Sequence, residues 1–137
     1  RLGLASRATW HGALGRAATG ALWPRLDCPV VPSRSTPEWV ERWSPVLISA
    51  MAHGVTPVVT REGVLPEVVG DAGVVVADVE EMGMALQALL AEPDRCRALG
   101  QDARKRVLAR YPDPVLAERT LAFWQEVRRT AGAPASA

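Results

Sequence analysis

The stretch Pro32–Gly54, PSRSTPEWVERWSPVLISAMAHG, followed by Val58–Val76, VVTREGVLPEVVGDAGVVV, decides the fold. Its order is the end of a strand, an acidic and aromatic loop, a short buried helix, a second strand and a glycine-bearing turn. A polar loop and a helix N-terminus thereby fall at the carboxyl end of a parallel sheet, where open α/β folds bind ligands. Pro45 opens the helix at the position where a missing N–H costs least, with Ser44 as N-cap and Gly54 as the C′ residue. Val46, Leu47, Ala50 and Met51 give that helix its apolar face. Pro57–Val59 reads as a strand buried on both sides, as parallel strands are.

Outward from this centre, Leu26, Cys28, Val30 and Val31 read as a buried strand ending at Pro32, and Ser33–Trp43 as a loop. Arg16–Trp23 is alanine-rich and reads as a helix stopped by Pro24. A short strand near Ala8–His11 precedes the Gly12–Gly15 loop. Downstream, Arg61–Gly63 turns the chain, Leu65–Val69 makes one helical turn and Gly73–Val76 a further short strand. Asp78 caps a helix with Val79, Met82, Leu86, Leu89 and Leu90 at helical spacing. Pro93 opens a helix to about Arg110, and Asp113–Pro114 opens the last, to about Arg129. The expected organisation is one α/β domain over residues 1–130, with 131–137, AGAPASA, as a disordered tail.

A chain of 137 residues has the size of one domain. Its formal net charge is +1, without a sustained basic run, so no nucleic-acid footprint is indicated. The two cysteines, Cys28 and Cys96, fall in different elements without metal-ligand neighbours. A disulfide framework and a zinc site are therefore not expected, and a reducing cytoplasm is. No apolar run reaches the roughly 20 residues of a membrane span. The sequence begins at Arg1 without Met, which reads as a trimmed N-terminus. No G-x-G-x-x-G follows a strand, which ranks a dinucleotide-binding dehydrogenase last.

The physical candidate for a site is the N-terminus of the Pro45 helix, whose unpaired amides and positive dipole end favour an anion such as phosphate. Glu41 stands just ahead of it, free to accept hydrogen bonds from hydroxyl groups. By itself Glu41 reads equally as a solvated loop charge or as a sugar ligand. Trp39 and Trp43 offer faces for stacking or pack down as a lid, whereas Trp10, Trp23 and Trp124 read as core or interface residues. His53 reads as a partner of the helix C-terminal dipole, and Glu67 as a structural cap. Arg95, Arg97, Arg104, Arg106 and Arg110 read as a solvated helix face, with peripheral contact to anionic lipid as the functional alternative.

The order E-R-W-S-P-V-L-I-S-A-M-A-H-G-V-T-P-V-V-T, continued by G-V-L-P-E-V-V-G-D-A-G, resembles the donor-binding half of the family 4 retaining glycosyltransferases of GT-B fold. The similarity covers roughly residues 8 to 110. It implies a Rossmann-like parallel sheet flanked by helices, the C-terminal half of a GT-B enzyme, incomplete at its N-terminus. It implies transfer from a nucleotide-sugar donor, with a missing N-terminal acceptor-binding domain as partner, no metal and no cofactor. It favours Glu41 as the donor-sugar ligand, with the backbone of Arg42, Trp43 and Ser44 approaching sugar hydroxyls and the distal phosphate. His11, Gly63 and Glu67 would lie nearby.

Departures from the family pattern are equally specific. The second glutamate of the motif, which would bind the ribose of the nucleotide, is Ser49 here. Hydrogen bonds to charged groups are worth about 1.5–3 kcal/mol, so this exchange is expected to weaken donor binding about tenfold or more. Ser44 replaces the loop glycine, and Pro45 removes an amide. These departures sustain a second reading, a degenerate domain that binds a partner or regulates an active enzyme without catalysis. No catalytic residue is assigned on either reading.

Overall fold

The computed structural model describes residues 3–131. In chain order the elements are α1 (Arg16–Leu22), a 3₁₀ turn (Trp23–Arg25), β1 (Val30–Val31), α2 (Pro45–Ala52), β2 (Val58–Thr60), α3 (Leu65–Val69), β3 (Val74–Val76), α4 (Val79–Ala91), α5 (Pro93–Arg110) and α6 (Asp113–Ala131). The three strands form one parallel sheet in the order β1-β2-β3. Val30 pairs with Val58 and Val58 with Val74, so a single register runs across it.

Side chains alternate across a strand, and here each alternation meets a different helical layer. Val59 joins Leu47, Met51, Leu65, Val68, Ala103 and Val107 beneath α2, α3 and α5. Val58 and Val76 join Met82, Leu89 and Cys96 beneath α4 and the start of α5. Apolar residues are therefore needed on both sides of β2. That is why VV and VVV run without interruption instead of alternating with polar residues.

The C-terminus of α2 is fixed by three devices. The Gly54 N–H donates to the Met51 carbonyl (2.9 Å) and the Val55 N–H to the Ala50 carbonyl (3.2 Å), with Gly54 at φ 78°. This is the double bond of a Schellman ending, and its apolar contact is present, because Ala50 and Val55 pack together with Trp23. Gly100 of α5 lies against the Gly54 carbonyl, where a Cβ would collide with it. Arg104 of α5 donates to the Ala52 carbonyl. Held at this end by α5, α2 directs its opposite end to the sheet's carboxyl edge.

Several expectations give way. Residues 8–11 are not a strand, and Trp10 is 94% exposed, because no described strand lies alongside for them to pair with. The strand expected from Leu26 is only Val30–Val31. It is not buried, since it forms an edge of the described sheet, leaving Val30 exposed. Val46, Val79 and Leu90 also face outward, while Leu47, Ala50 and Met51 of α2 and Met82 and Leu89 of α4 are buried. Ser44 occupies the N-cap position but its hydroxyl makes no capping bond.

The arginine face of α5 is not simply solvated. Arg104 bonds to α2 as above, and Arg106 donates to the carbonyls of Val68 (2.9 Å) and Glu67 (2.8 Å), satisfying the end of α3. Arg95 and Arg97 do remain exposed in short ion pairs with Glu92 and Asp94. Asp78 caps α4 as expected, accepting from the Glu81 N–H at 2.8 Å. Trp124, in α6, is 57% exposed, so among the described residues it is no core residue. The tail at 132–137 lies outside the described residues.

Candidate functional site

Each strand delivers a polar residue to the same edge of the sheet. Past β1 comes Ser33, at the end of β2 stand Thr60 and Glu62, and past β3 stands Asp78. Thr60 Oγ1 donates to the Ser33 carbonyl at 2.6 Å, joining the first two of these exits. The Arg61 N–H donates to the Val76 carbonyl at 2.8 Å, joining the second and third. Ser35 donates to Glu62 Oε2 from its N–H (3.1 Å) and its hydroxyl (2.5 Å), drawing the loop after β1 down onto this edge.

Glu41 is held at both ends of the residue. Ser33 Oγ donates to its Oε2 at 3.1 Å, so the half-buried carboxylate faces the sheet's mouth. Its carbonyl accepts from the Val64 N–H at 2.9 Å. That carbonyl rests on Gly63, at φ 51°, where a Cβ would overlap it. Gly63 therefore belongs with Glu41 for a steric reason: only a residue without a side chain lets the loop lie this close.

Beyond Glu41 the chain runs through Arg42, Trp43 and Ser44 into α2. Among the described residues, nothing accepts from the amides of Arg42, Trp43, Ser44, Val46 or Leu47. Of these five, the amides of Arg42, Trp43 and Val46 belong to exposed residues at the positive end of α2, whereas Leu47, like Ser44, is buried. Trp43 makes an edge-to-face contact with Tyr111 (6.0 Å between centroids, 72°), which ties the loop to the end of α5. A shallow depression of about 390 Å³ runs along Glu38, Trp39, Val40, Glu41, Arg42 and Trp43.

Ser49 has a structural partner. The Trp23 indole N–H donates to Ser49 Oγ at 2.9 Å, and His53 Nδ1 lies 2.7 Å from the Ser49 carbonyl. The second contact is the helix-end role expected of His53. Glu67 is exposed in the first turn of α3, and His11 is exposed in irregular chain; neither side chain hydrogen-bonds to the Glu41 loop. The structure thus brings Glu41, Arg42, Trp43, Ser44 and Gly63 together and gives no such contact for His11 or Glu67. Ser33 was missed by sequence reasoning. Its place immediately after β1 marked it as a loop residue but not as the partner of a carboxylate eight positions on.

A family model described as glycosyl transferases group 1 matches residues 1–92. MMP alpha-(1->4)-mannosyltransferase of Mycolicibacterium hassiacum is 36% identical over 95 residues, 66% of this chain and 23% of that protein. Alpha-maltose-1-phosphate synthase of Mycolicibacterium smegmatis is 31% identical over 133 residues, 83% of this chain and 34% of that protein. Among solved structures, sucrose-phosphate synthase from Thermosynechococcus elongatus superposes with a TM-score of 0.78 at 26% identity, covering 93% of this chain and 32% of that one. The chain therefore spans about a quarter to a third of the length of the relatives it matches.

Proposed function

The chain belongs to the group 1 glycosyl transferases, and from that premise we propose that it supplies the donor-binding half of a retaining enzyme that moves a sugar from a nucleotide sugar to an acceptor. The observation that carries this reading is the pairing of an anchored carboxylate with a row of free amides. Glu41, held by Ser33 and resting on Gly63, accepts hydrogen bonds from sugar hydroxyls. The unpaired amides of the exposed residues Arg42, Trp43 and Val46 face the phosphates. Their donors are in place before reaction, so negative charge developing on the departing diphosphate is met without reorganisation. No metal is invoked in this reading. The acceptor half would come from protein outside these residues, as the short span relative to the relatives suggests.

The test is transfer by the full-length protein from labelled nucleotide sugars. Mannosyl and glucosyl donors come first, and sugar phosphates lead the acceptors, since two of the relatives are named for phosphorylated products. Product formation with retained anomeric configuration is expected. The absence of both transfer and donor hydrolysis across the panel would reject the reading.

One observation favours the second reading, a non-catalytic donor-like domain. Ser49, at the family's ribose-binding position, has its oxygen engaged by Trp23. Calorimetry separates the two: donor nucleotide bound by the parent chain favours an enzyme, and binding gained only by Ser49→Glu favours degeneration.

A further inference from the structure

Cys28, just ahead of β1, and Cys96, in the first turn of α5, are 68 positions apart in sequence, yet their Sγ atoms lie 3.7 Å apart. Cys96 is buried and Cys28 half-buried. Cys96 Sγ also donates weakly to the Asp27 carbonyl at 3.9 Å. A disulfide needs the sulfurs to close from 3.7 Å to about 2.05 Å. A cavity of about 200 Å³ reaches Cys96 from the surface between Leu26, Asp27, Thr56, Leu89 and Pro93, wide enough for a small reagent.

We propose that Cys28 and Cys96 are a reversible disulfide site, oxidised by exchange with a low-molecular-weight disulfide that enters through this cavity. The Cys96 thiolate attacks one sulfur of the reagent R–S–S–R, forming a mixed disulfide and releasing one thiolate. The Cys28 thiolate then attacks the Cys96 sulfur and releases the second. Two protein thiols are oxidised, one reagent disulfide is reduced to two thiols, and the protons pass to solvent and the leaving thiolates. Burial, followed by the hydrogen bond with Cys96, pushes the Cys28 thiol up to about 12. The second step is therefore the slow one at neutral pH, and the mixed disulfide on Cys96 precedes the closed bond.

The bond would join the first turn of α5 to the strand that leads into Ser33 and Glu41. Thr56 Oγ1 already donates to the Cys96 carbonyl at 2.5 Å, so this turn of α5 is seated against the sheet before any covalent link forms.

The test treats the folded chain with excess 2-hydroxyethyl disulfide, a reagent small enough for the cavity. Free thiols should fall from two to none, the mass should drop by two hydrogens, and a peptide map should join Cys28 to Cys96. The oxidised chain should melt at least about 5 °C above the reduced one. Cys28→Ala should instead retain one mercaptoethanol group as a mixed disulfide and show no such gain; it is the preferred control because Cys28 is the less buried of the two. Two unreacted thiols, two separate mercaptoethanol adducts, a disulfide-linked dimer on a non-reducing gel, or an oxidised chain that melts no higher than the reduced one would each overturn the proposal.

Discussion

The carbonyl oxygen of Glu41 lies directly on Gly63, so the loop that offers the Glu41 carboxylate is seated on a turn that accepts no side chain. Gly63 also holds φ 51°, a left-handed conformation that costs an L residue about 1–2 kcal/mol. Gly63→Ala should combine that strain with displacement of the Glu41 backbone. A stability loss of about 2 kcal/mol or more in urea is expected, together with weaker donor binding. An unchanged urea midpoint would contradict the contact.

Glu41→Gln keeps the shape of the side chain and a hydrogen bond from Ser33 while removing the charge. Hydrogen bonds to charged groups are worth about 1.5–3 kcal/mol, so donor affinity in the full-length protein should fall roughly tenfold to a hundredfold. Because the residue is only half-buried, its thermal midpoint should move by no more than about 2 °C. Calorimetry and a melting curve on the same preparation distinguish loss of a ligand from loss of the fold.

Ser49→Ala should leave the Trp23 indole N–H without its acceptor in a partly buried setting. The expected cost is about 1 kcal/mol by chemical denaturation. If Ser49 serves the fold alone, donor affinity stays within about twofold of the parent. A larger loss would assign the hydroxyl a share in binding.

Two helix glycines should respond in opposite directions. Gly83, exposed in α4, has nothing beyond its own stretch of helix backbone within 4 Å of the place a Cβ would occupy, so Gly83→Ala should stabilise by about 0.5–1 kcal/mol. Gly100, buried in α5, would drive a Cβ into the Gly54 carbonyl, and Gly100→Ala should destabilise by at least about 2 kcal/mol. Urea titrations of both variants in one buffer check the contrast.

The Cys28 thiol, pushed up to about 12 by burial and by its bond to Cys96, links stability to alkaline pH. The folded state holds this proton more tightly than the unfolded state, whose thiol titrates near 9.0. The contribution is complete below pH 9 and is lost as pH rises toward 12. Cys96 and Asp27 are the groups that raise the thiol along with burial, and neither offsets this sign. Under reducing conditions the difference in stability between the parent and Cys28→Ala should shrink steadily above pH 9, as followed by urea midpoints.

Where local rules govern, the chain was legible in advance. Pro45 at the first helical position, Gly54 after the last, Asp78 as a cap and the uninterrupted valines of β2 and β3 each have a local cause, and each appears where expected. The position of Glu41 ahead of a helix N-terminus was legible for the same reason. Outward-facing apolar residues were not. Val30, Val46, Val79 and Leu90 have the composition of a core, and only the course of the neighbouring elements leaves them exposed.

From its residues alone, the chain determined its periodicities, its helix starts and stops and its likeness to a glycosyltransferase family, because each of these is written in neighbours a few positions apart. Tertiary structure alone decided the pairs that matter most at the site and beside it: Ser33 with Glu41, Glu41 with Gly63, Trp23 with Ser49, Arg106 with the end of α3, and Cys28 with Cys96. The longer-range pairs join residues 22 to 68 positions apart, and Ser33 and Glu41 meet only because the intervening loop folds back on the sheet's edge. Their distances follow from the parallel register of three strands and the seating of α5 on α2, a collective outcome of packing that no local stretch of sequence encodes.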